Sequence, residues 1–413
     1  MPSTSTKHRL ILLGSGFAAM SVLRTIDPKL FDITVISPRN HFLFTPLLPS
    51  TTVGTVEFRS IIEPIRAAYP FAAFHQANCT SIDLTARSIA CESAIDKEQF
   101  SLPFDSLVLA VGTINNTFGV AGVEQYALYL KEVADARAIR QRIIDCFERA
   151  SEPGIPDSEK HRLLHFVVVG GGPTGVEFAA EMHDFVIRDL HKLYPALRSF
   201  IRITILEARA QILSTFDQVL GAYTVRHFHR QQIEVLTGSV VINIDADRIT
   251  LKNGTEIPFG MVVWATGTGP TPLIKSLNAQ KDYASRLIID EFLRLKEHRN
   301  IYALGDCSVI ESQNLPATAQ VAEQQGKYLG AALTARTLGK PVQPFRYRHY
   351  GMLAYIGSER ALADLSQVKG RGYSTYLFWR SAYLTRLVSF KNKILVLFDW
   401  MKTAVFGRDI SRF

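Results

Sequence analysis

Residues 166–178 read FVVVGGGPTGVEF. Phe166–Val169 is a short, β-branched, apolar run of the kind a buried strand needs. It breaks into Gly170-Gly171-Gly172-Pro173-Thr174-Gly175, and a helical pattern follows to about Leu193. Ile201–Leu206 is then strand-like again. Strand, G-x-G-x-x-G turn, helix and strand form the unit that lays a pyrophosphate against a helix N-terminus. The glycines let backbone N–H groups approach, and the helix dipole favours the negative charge. The start of the chain repeats this grammar. Leu10–Ala19 reads LILLGSGFAA, with Gly14, Gly16 and Ala19 at the same spacing, a helix to about Ile26 and a strand at Ile33–Ile36.

Later segments also occur in matching pairs. Leu107–Val111 is an apolar run closed by Gly112; Met261–Ala265 is closed by Thr266-Gly267. Ile301–Leu304 ends in Gly305-Asp306, and Pro316 precedes a helical stretch from about Thr318 to Leu338. The expectation is an α/β fold with two Rossmann-like dinucleotide-binding domains, the second inserted in the first. Residues 1–124 and 268–345 form one domain, 125–267 the other, and 346–413 a C-terminal domain. Ser151–Lys160, rich in Pro, Gly and charge, reads as a linker, and Asn40–Ser50 as a structured loop.

The ribose positions separate the two sites. The strand after the second fingerprint ends in Glu207, whose carboxylate can bind a ribose 2′-OH and would repel a 2′-phosphate, which favours NADH. Arg209 stands close by as a competing phosphate ligand, and Glu207 also reads as an ordinary solvated acid. In the first unit the corresponding residue is Ser37, followed by Pro38 and Arg39; a hydroxyl replaces the acid. Two unlike nucleotide sites suggest a resident flavin (FAD, non-covalent) in the first unit and NADH visiting the second. Asp306, at the end of a late strand, can hydrogen-bond a ribityl chain; the alternative is a turn or cap aspartate.

Charge narrows the partners. The 413 residues carry a formal +8. Arg371, Arg380, Arg386, Lys391, Lys393, Lys402, Arg408 and Arg412 face only Asp399 and Asp409, so the last 43 residues hold +6 and the rest +2. A uniformly basic nucleic-acid binder is excluded as the default. Nothing approaches the roughly 20 apolar residues of a membrane span. Met1–Arg9 is short and polar, with neither an h-region nor an Arg-rich presequence. Cys79, Cys91, Cys146 and Cys307 lie far apart with no C-x-x-C, so reduced thiols and no metal site are expected. In the tail, Ile394, Leu397, Phe398, Met401 and Val405 recur at helical spacing; Leu377, Tyr383, Leu384, Leu387 and Val388 do so less clearly. Two short basic amphipathic helices suit an anionic bilayer surface. The competing reading is that these faces close the protein's own core or a homodimer seam.

The chain resembles the two-dinucleotide-binding, glutathione-reductase-like flavoproteins, and more narrowly the type II NADH dehydrogenases. The resemblance rests on Gly14–Ala19, Ser37–Leu48, Gly175–Phe178, Ala265–Gly267, Gly305–Cys307, Ala319–Gly326, Trp379–Arg386 and Phe406–Asp409. It implies a single-subunit, non-pumping NADH:quinone oxidoreductase with FAD and a membrane quinone, ubiquinone or menaquinone. It also implies peripheral attachment to the inner face of a respiratory membrane, bacterial or mitochondrial. By resemblance Gly14, Gly16, Phe17, Ala18, Ser37, Arg39, Thr45, Pro46, Cys79, Gly112, Asp306, Ala319 and Gln320 hold the flavin. Gly170, Gly172, Pro173, Thr174, Gly175, Glu207, Thr266 and Gly267 hold NADH. Glu177, Gln320 and Gln324 serve the chemistry, Glu177 on the proton path and the glutamines orienting quinone carbonyls. The alternatives are a related NAD(P)H-dependent reductase of ferredoxin or another acceptor, a sulfide:quinone reductase-like enzyme, disfavoured without a cysteine pair, and a flavoprotein acting only as a binding module.

Overall fold

The computed structural model describes residues 7–411. The first six residues and Arg412 of the basic tail lie outside the described residues. Two β–turn–α units lead the architecture: β1 (His8–Leu13) into α1 (Phe17–Thr25), and β2 (His165–Val169) into α2 (Pro173–Phe185). Each belongs to its own compact unit. The first unit comprises Met1–Phe42, Glu63–Ile114 and Thr268–Arg348; the second comprises Leu43–Ile62, Asn115–Gly267 and His349–Phe413. The stretch Leu43–Ile62, placed by sequence with the flavin domain, lies in the second unit, as does the C-terminal segment.

In the first unit a seven-stranded sheet runs Ile301–Ala303, Ser106–Leu109, β1, Phe31–Ser37, Ala73–Asp83, Ser88–Ser93, Gln99–Pro103. The first four pairings are parallel and the last two antiparallel. Leu10, Leu12 and Leu13 are buried, as a strand covered on both faces requires. Helix α3 (Ala319–Thr337) packs on α1 through Ala322, Gly326 and Gly330, one small residue per turn. A Cβ at Gly326 would lie 2.2 Å from the Ala18 carbonyl oxygen, so only glycine permits this approach. That seam fixes α3 against the helix that follows the first fingerprint.

The second unit holds a five-stranded parallel sheet in the order Leu128–Tyr129, Met261–Trp264, β2, Arg202–Glu207, Ile233–Thr237. Every residue of α2 from Gly175 to Phe185 is buried. A π-helical turn (Val186–Leu190) and a last turn (His191–Leu193) carry the helix to the end its sequence pattern predicts. The expected linker is half helical: one helix ends at Ser151, the next begins at Asp157, and the turn between them is non-helical.

The C-terminal segment forms an antiparallel sheet of β3 (Met352–Tyr355), Ala361–Asp364 and Lys369–Gly372, then α4 (Tyr373–Arg386) and α5 (Phe390–Phe406). Helix α5 turns most of its apolar side chains out: Asn392, Val396, Asp399 and Trp400 are buried, while Ile394, Leu397, Phe398, Met401, Val405 and Phe406 are exposed. The inward polar face is satisfied. Asn392 Nδ2 donates to the Ser60 and Ile62 carbonyls at 2.8 and 3.0 Å, and Asp399 Oδ2 accepts from Ser60 Oγ at 2.6 Å and Glu57 N at 3.0 Å. Of the weaker set, Leu387, just after α4, is buried and Leu377 is exposed; Phe378, outside that set, is exposed as well. No helix among the described residues is long and apolar enough to cross a membrane.

The tail's positive charge is partly neutralised within the unit. Arg408 pairs with Asp189 at 2.9 Å and Lys402 with Glu57 at 3.2 Å. Arg380 lies 4.4 Å over the Trp400 ring. Arg386 and Lys391 remain exposed.

Candidate functional site

Both glycine turns have the geometry an anionic pyrophosphate needs. Gly14 sits at φ +114° and Gly170 at φ +116°, conformations that L side chains rarely adopt. A Cβ at Gly14 would lie 2.3 Å from the Ala110 carbonyl oxygen, and one at Gly170 would lie 2.8 Å from the Thr266 side chain. Gly16 and Gly172 are the N-caps of α1 and α2. Neither helix has a side-chain cap or an acid in its first turn. A Cβ at either cap residue would meet nothing within 4 Å, so open space lies over each helix start. Both positive helix ends are therefore left for an external anion. Pro173 opens α2 at N1 and Thr174 is exposed, while Gly175 packs against the Gly170 carbonyl. These residues fit a dinucleotide at each turn.

In the first unit, Phe17 stacks edge-on against Phe42, and Ala18 is buried beneath. The Ser37 hydroxyl is buried; it hydrogen-bonds Ser15 Oγ at 3.0 Å and accepts from Arg39 N at 3.2 Å. Arg39 Nε donates to the His41 carbonyl at 3.0 Å. Gly112 follows strand Ser106–Leu109 with positive φ. Asp306 lines a cavity of about 410 Å³ together with Thr113, Cys307 and Ala317. Burial pushes the Cys307 thiol up to about 12, which makes it a packing residue. At the start of α3, Thr318 caps the helix by accepting from Val321 N, and Ala319 is its first residue. Gln320 Oε1 accepts from Tyr347 OH at 2.5 Å. Gln324 makes a two-way pairing with the Arg348 backbone, donating at 2.8 Å and accepting at 3.0 Å. The two glutamines do share one face, and both are engaged by the segment that follows the helix. Sequence reading missed the neighbouring Gln325, buried, whose Oε1 accepts from Gly305 N at 2.7 Å and so holds the turn that carries Asp306.

In the second unit, Glu207 sits at the end of its strand. Its two oxygens accept from Gly171 N at 2.7 Å and Arg209 N at 2.8 Å. The carboxylate is thereby oriented beside the glycine turn. Gly267 has positive φ, and Trp264 Nε1 donates to the Asn116 carbonyl at 3.0 Å in the same turn region. Thr45 is exposed and Pro46 half-buried in a short 3₁₀ turn of this unit. Glu177, on α2, is buried; its Oε1 accepts from Tyr355 N at 3.0 Å. Burial pushes its carboxyl up to about 8, with nearby Glu181 adding to the rise.

Comparison with known proteins agrees with this geometry. The pyridine nucleotide-disulphide oxidoreductase family matches residues 8–326, and the NDH2 C-terminal domain matches residues 349–409. A probable NADH dehydrogenase of Dictyostelium discoideum is 46% identical over 98% of this chain and 91% of its own length. An internal alternative NAD(P)H-ubiquinone oxidoreductase A1, mitochondrial, of Solanum tuberosum is 42% identical over 98% and 88%. The structure of NDH2 from Plasmodium falciparum in complex with NADH superposes with a TM-score of 0.92 at 29% identity, covering 98% of this chain and 100% of that one. The chain belongs to the type II NADH dehydrogenase family. A sulfide:quinone oxidoreductase from Aquifex aeolicus, 18% identical with a TM-score of 0.73, shares the fold.

Within this family member, tertiary structure adds two groupings that the linear sequence conceals. Cys79 and Cys91 stand directly opposite across an antiparallel pair, and the Cys79 thiol donates to the Ser81 carbonyl at 3.4 Å. Both are free thiols. Helix α2 also carries Glu181 and Asp184 behind Glu177, all three buried. Glu181 accepts from Ser50 Oγ and Thr55 Oγ1, each at 2.7 Å, and Arg408 Nη2 lies 3.7 Å away. Asp184 accepts from Tyr355 OH and, at 3.0 Å, from Ser358 N. The one available signal was a charge at every turn of a helix that is otherwise apolar.

Proposed function

We propose that this chain is a peripheral flavoenzyme that oxidises NADH and reduces a membrane quinone to quinol without pumping protons. The observation that carries the reading is full-length identity of 42–46% to relatives named as NADH dehydrogenase and NAD(P)H-ubiquinone oxidoreductase, joined to two uncapped glycine turns that fit dinucleotides. FAD sits on the Gly14 turn and NADH visits the Gly170 turn. Bound flavin supplies the redox chemistry, taking a hydride from NADH and giving two electrons to the quinone.

The chain's own residues do the rest. The amides at the starts of α1 and α2 bind the two pyrophosphates. Asp306 holds the ribityl chain, and Gln325 holds the turn beneath it. Glu207 binds the adenine-side ribose of NADH and disfavours a 2′-phosphate. The Gln320 amide orients the quinone, and Gln324, paired to the Arg348 backbone, steadies the helix that presents it. Glu177, with its carboxyl proton retained at neutral pH, supplies a proton to the reduced quinone.

The exposed apolar face of α5, with Leu377 and Phe378 of α4, lies in the headgroup layer of a respiratory membrane on its inner face. The polar inward face of α5 supports this reading over self-burial, because the helix already satisfies the unit it packs on.

Anaerobic addition of NADH to the purified yellow protein tests the function. NADH should bleach the flavin, and a ubiquinone analogue should restore the colour. A protein that takes up no flavin, or whose flavin NADH leaves oxidised, would overturn it.

A further inference from the structure

A solvent-facing cavity of about 720 Å³ opens in the second unit beside α2, β3, α4 and the end of α5. None of the residues named above for flavin, nucleotide or quinone lines it. Its wall includes Glu181, Thr55, Tyr355, Trp379 and Arg408. Exposed Val405 and Phe406 also line it, together with the charged Arg188, Lys192 and Glu359.

Glu177 lies one helical turn from Glu181, and i, i+4 positions place their Cβ atoms about 5–6 Å apart on one face. A separation of that order is one that a single water can bridge. Trp379 lines the cavity. The surroundings of the two acids differ. Glu181 faces Ser50 and Thr55 from the segment Leu43–Ile62, Arg408 after α5, Tyr376 of α4, Tyr355 of β3, and Glu177 and Asp184 on its own helix. Burial raises the proton affinity of Glu181, and two hydroxyl donors and a guanidinium oppose that rise in favour of its carboxylate form. Glu177 accepts from the Tyr355 amide, in a dry environment that favours the protonated form. Two buried carboxyls this close resist double ionisation and titrate as a pair.

We infer that Glu181 is the proton relay of this enzyme, drawing protons from the water of this cavity and reloading Glu177 after each turnover. The balance is NADH + H⁺ + quinone → NAD⁺ + quinol, so one proton per turnover comes from solvent. When Glu177 gives its proton away, the pair is left doubly ionised. Glu181 takes a proton from cavity water, and that proton passes through the bridging water to the Glu177 carboxylate. Glu181 then returns to its ionised form, held by Ser50, Thr55 and Arg408. It acts through Glu177 and is in that sense a positioning residue. The inference rests on Glu177 being the quinone's proton donor.

Stopped-flow measurement of the two half-reactions on the flavin-loaded enzyme tests this. With Glu181→Gln, anaerobic bleaching by NADH should keep its rate, since it needs no solvent proton. Reoxidation by a ubiquinone analogue should slow about tenfold, with a larger solvent deuterium effect. A double variant, Ser50→Ala with Thr55→Val, weakens the carboxylate form of Glu181 and should move the alkaline limb of the reoxidation profile to higher pH. Wild-type reoxidation rate and pH profile in Glu181→Gln would overturn the relay. If that variant loses its flavin, an unmoved alkaline limb in the double variant overturns it instead. Glu177→Gln separates the two layers: slow reoxidation there with normal Glu181→Gln removes only the relay, whereas normal reoxidation in both removes the role of Glu177 as well.

Discussion

Helices α2 and α5 belong to the same compact unit and break the ordinary rule of burial in opposite ways. Helix α2 is enclosed from Gly175 to Phe185 yet keeps Glu177, Glu181 and Asp184 inside. Helix α5 keeps Asn392 and Asp399 inside beside Val396 and Trp400, and turns Ile394, Leu397, Phe398, Met401, Val405 and Phe406 out. A buried carboxylate costs several kcal/mol unless it is paired or protonated, so α2 holds groups whose proton affinity is tuned. An exposed apolar stripe loses burial energy in water, and a stripe of this kind marks a contact surface. The inward polar residues differ accordingly. Asp399 and Asn392 meet fixed backbone and hydroxyl partners, whereas Glu177 accepts from one backbone amide and holds its proton up to about pH 8.

The largest expected effect breaks the comparison at α2. Glu177→Gln should lower quinone-dependent turnover by about 100-fold, the lower end of what a positioned acid contributes, as read from steady-state NADH:quinone kinetics. On α5, replacing both Phe398 and Met401 with Glu removes about 1.5 kcal/mol or more of apolar transfer at each position. Partition onto anionic liposomes, measured by sedimentation, should fall about 100-fold. Asp399→Ala leaves Ser60 Oγ and Glu57 N without their acceptor inside the unit. That should cost about 1–3 kcal/mol, visible as a lower unfolding midpoint in denaturant.

Charge contributes less to membrane contact than the tail's composition suggests, because Arg408 and Lys402 are paired internally. Lys391→Glu should therefore weaken liposome binding by only about fivefold at low salt and less at high salt. The smallest effect is a pH slope. The folded Glu177 pKa, raised to about 8, exceeds the value the carboxyl has in an unfolded chain. Its protonated form thus contributes stability below the ordinary carboxylate range, and that contribution is lost as pH rises through 8. Thermal unfolding of the wild type should fall between pH 6 and pH 9 by more than that of Glu177→Gln.

Much of the site was legible because its grammar is local. Gly14 and Gly170 announced their turns through spacing, and the strands on either side announced themselves through apolar runs. Glu207 was legible as the residue closing the next strand. The helix ending near Leu193 was legible from its continuing pattern, π-turn included. The partners of those residues were not legible. Ser50 and Thr55 lie 131 and 126 residues from Glu181, and nothing in their surroundings marks them. Cys79 and Cys91 read as distant until a hairpin set them face to face. Gln325 was passed over beside two more conspicuous glutamines, although it is the one that holds the Asp306 turn.

The amino-acid sequence by itself determined two nucleotide turns, their parallel sheets, the terminal pair of amphipathic helices and the family. These follow from spacings of a few to some thirty residues, over which backbone conformation and side-chain periodicity are set. Tertiary structure alone decided that the apolar stripe of α5 faces outward, that Lys402 and Arg408 of the tail meet acids at home, and that an acid on α2 lines a cavity. A periodic pattern defines a face but not its direction. Direction depends on which distant groups offer hydrogen bonds, and only the folded chain brings those groups together.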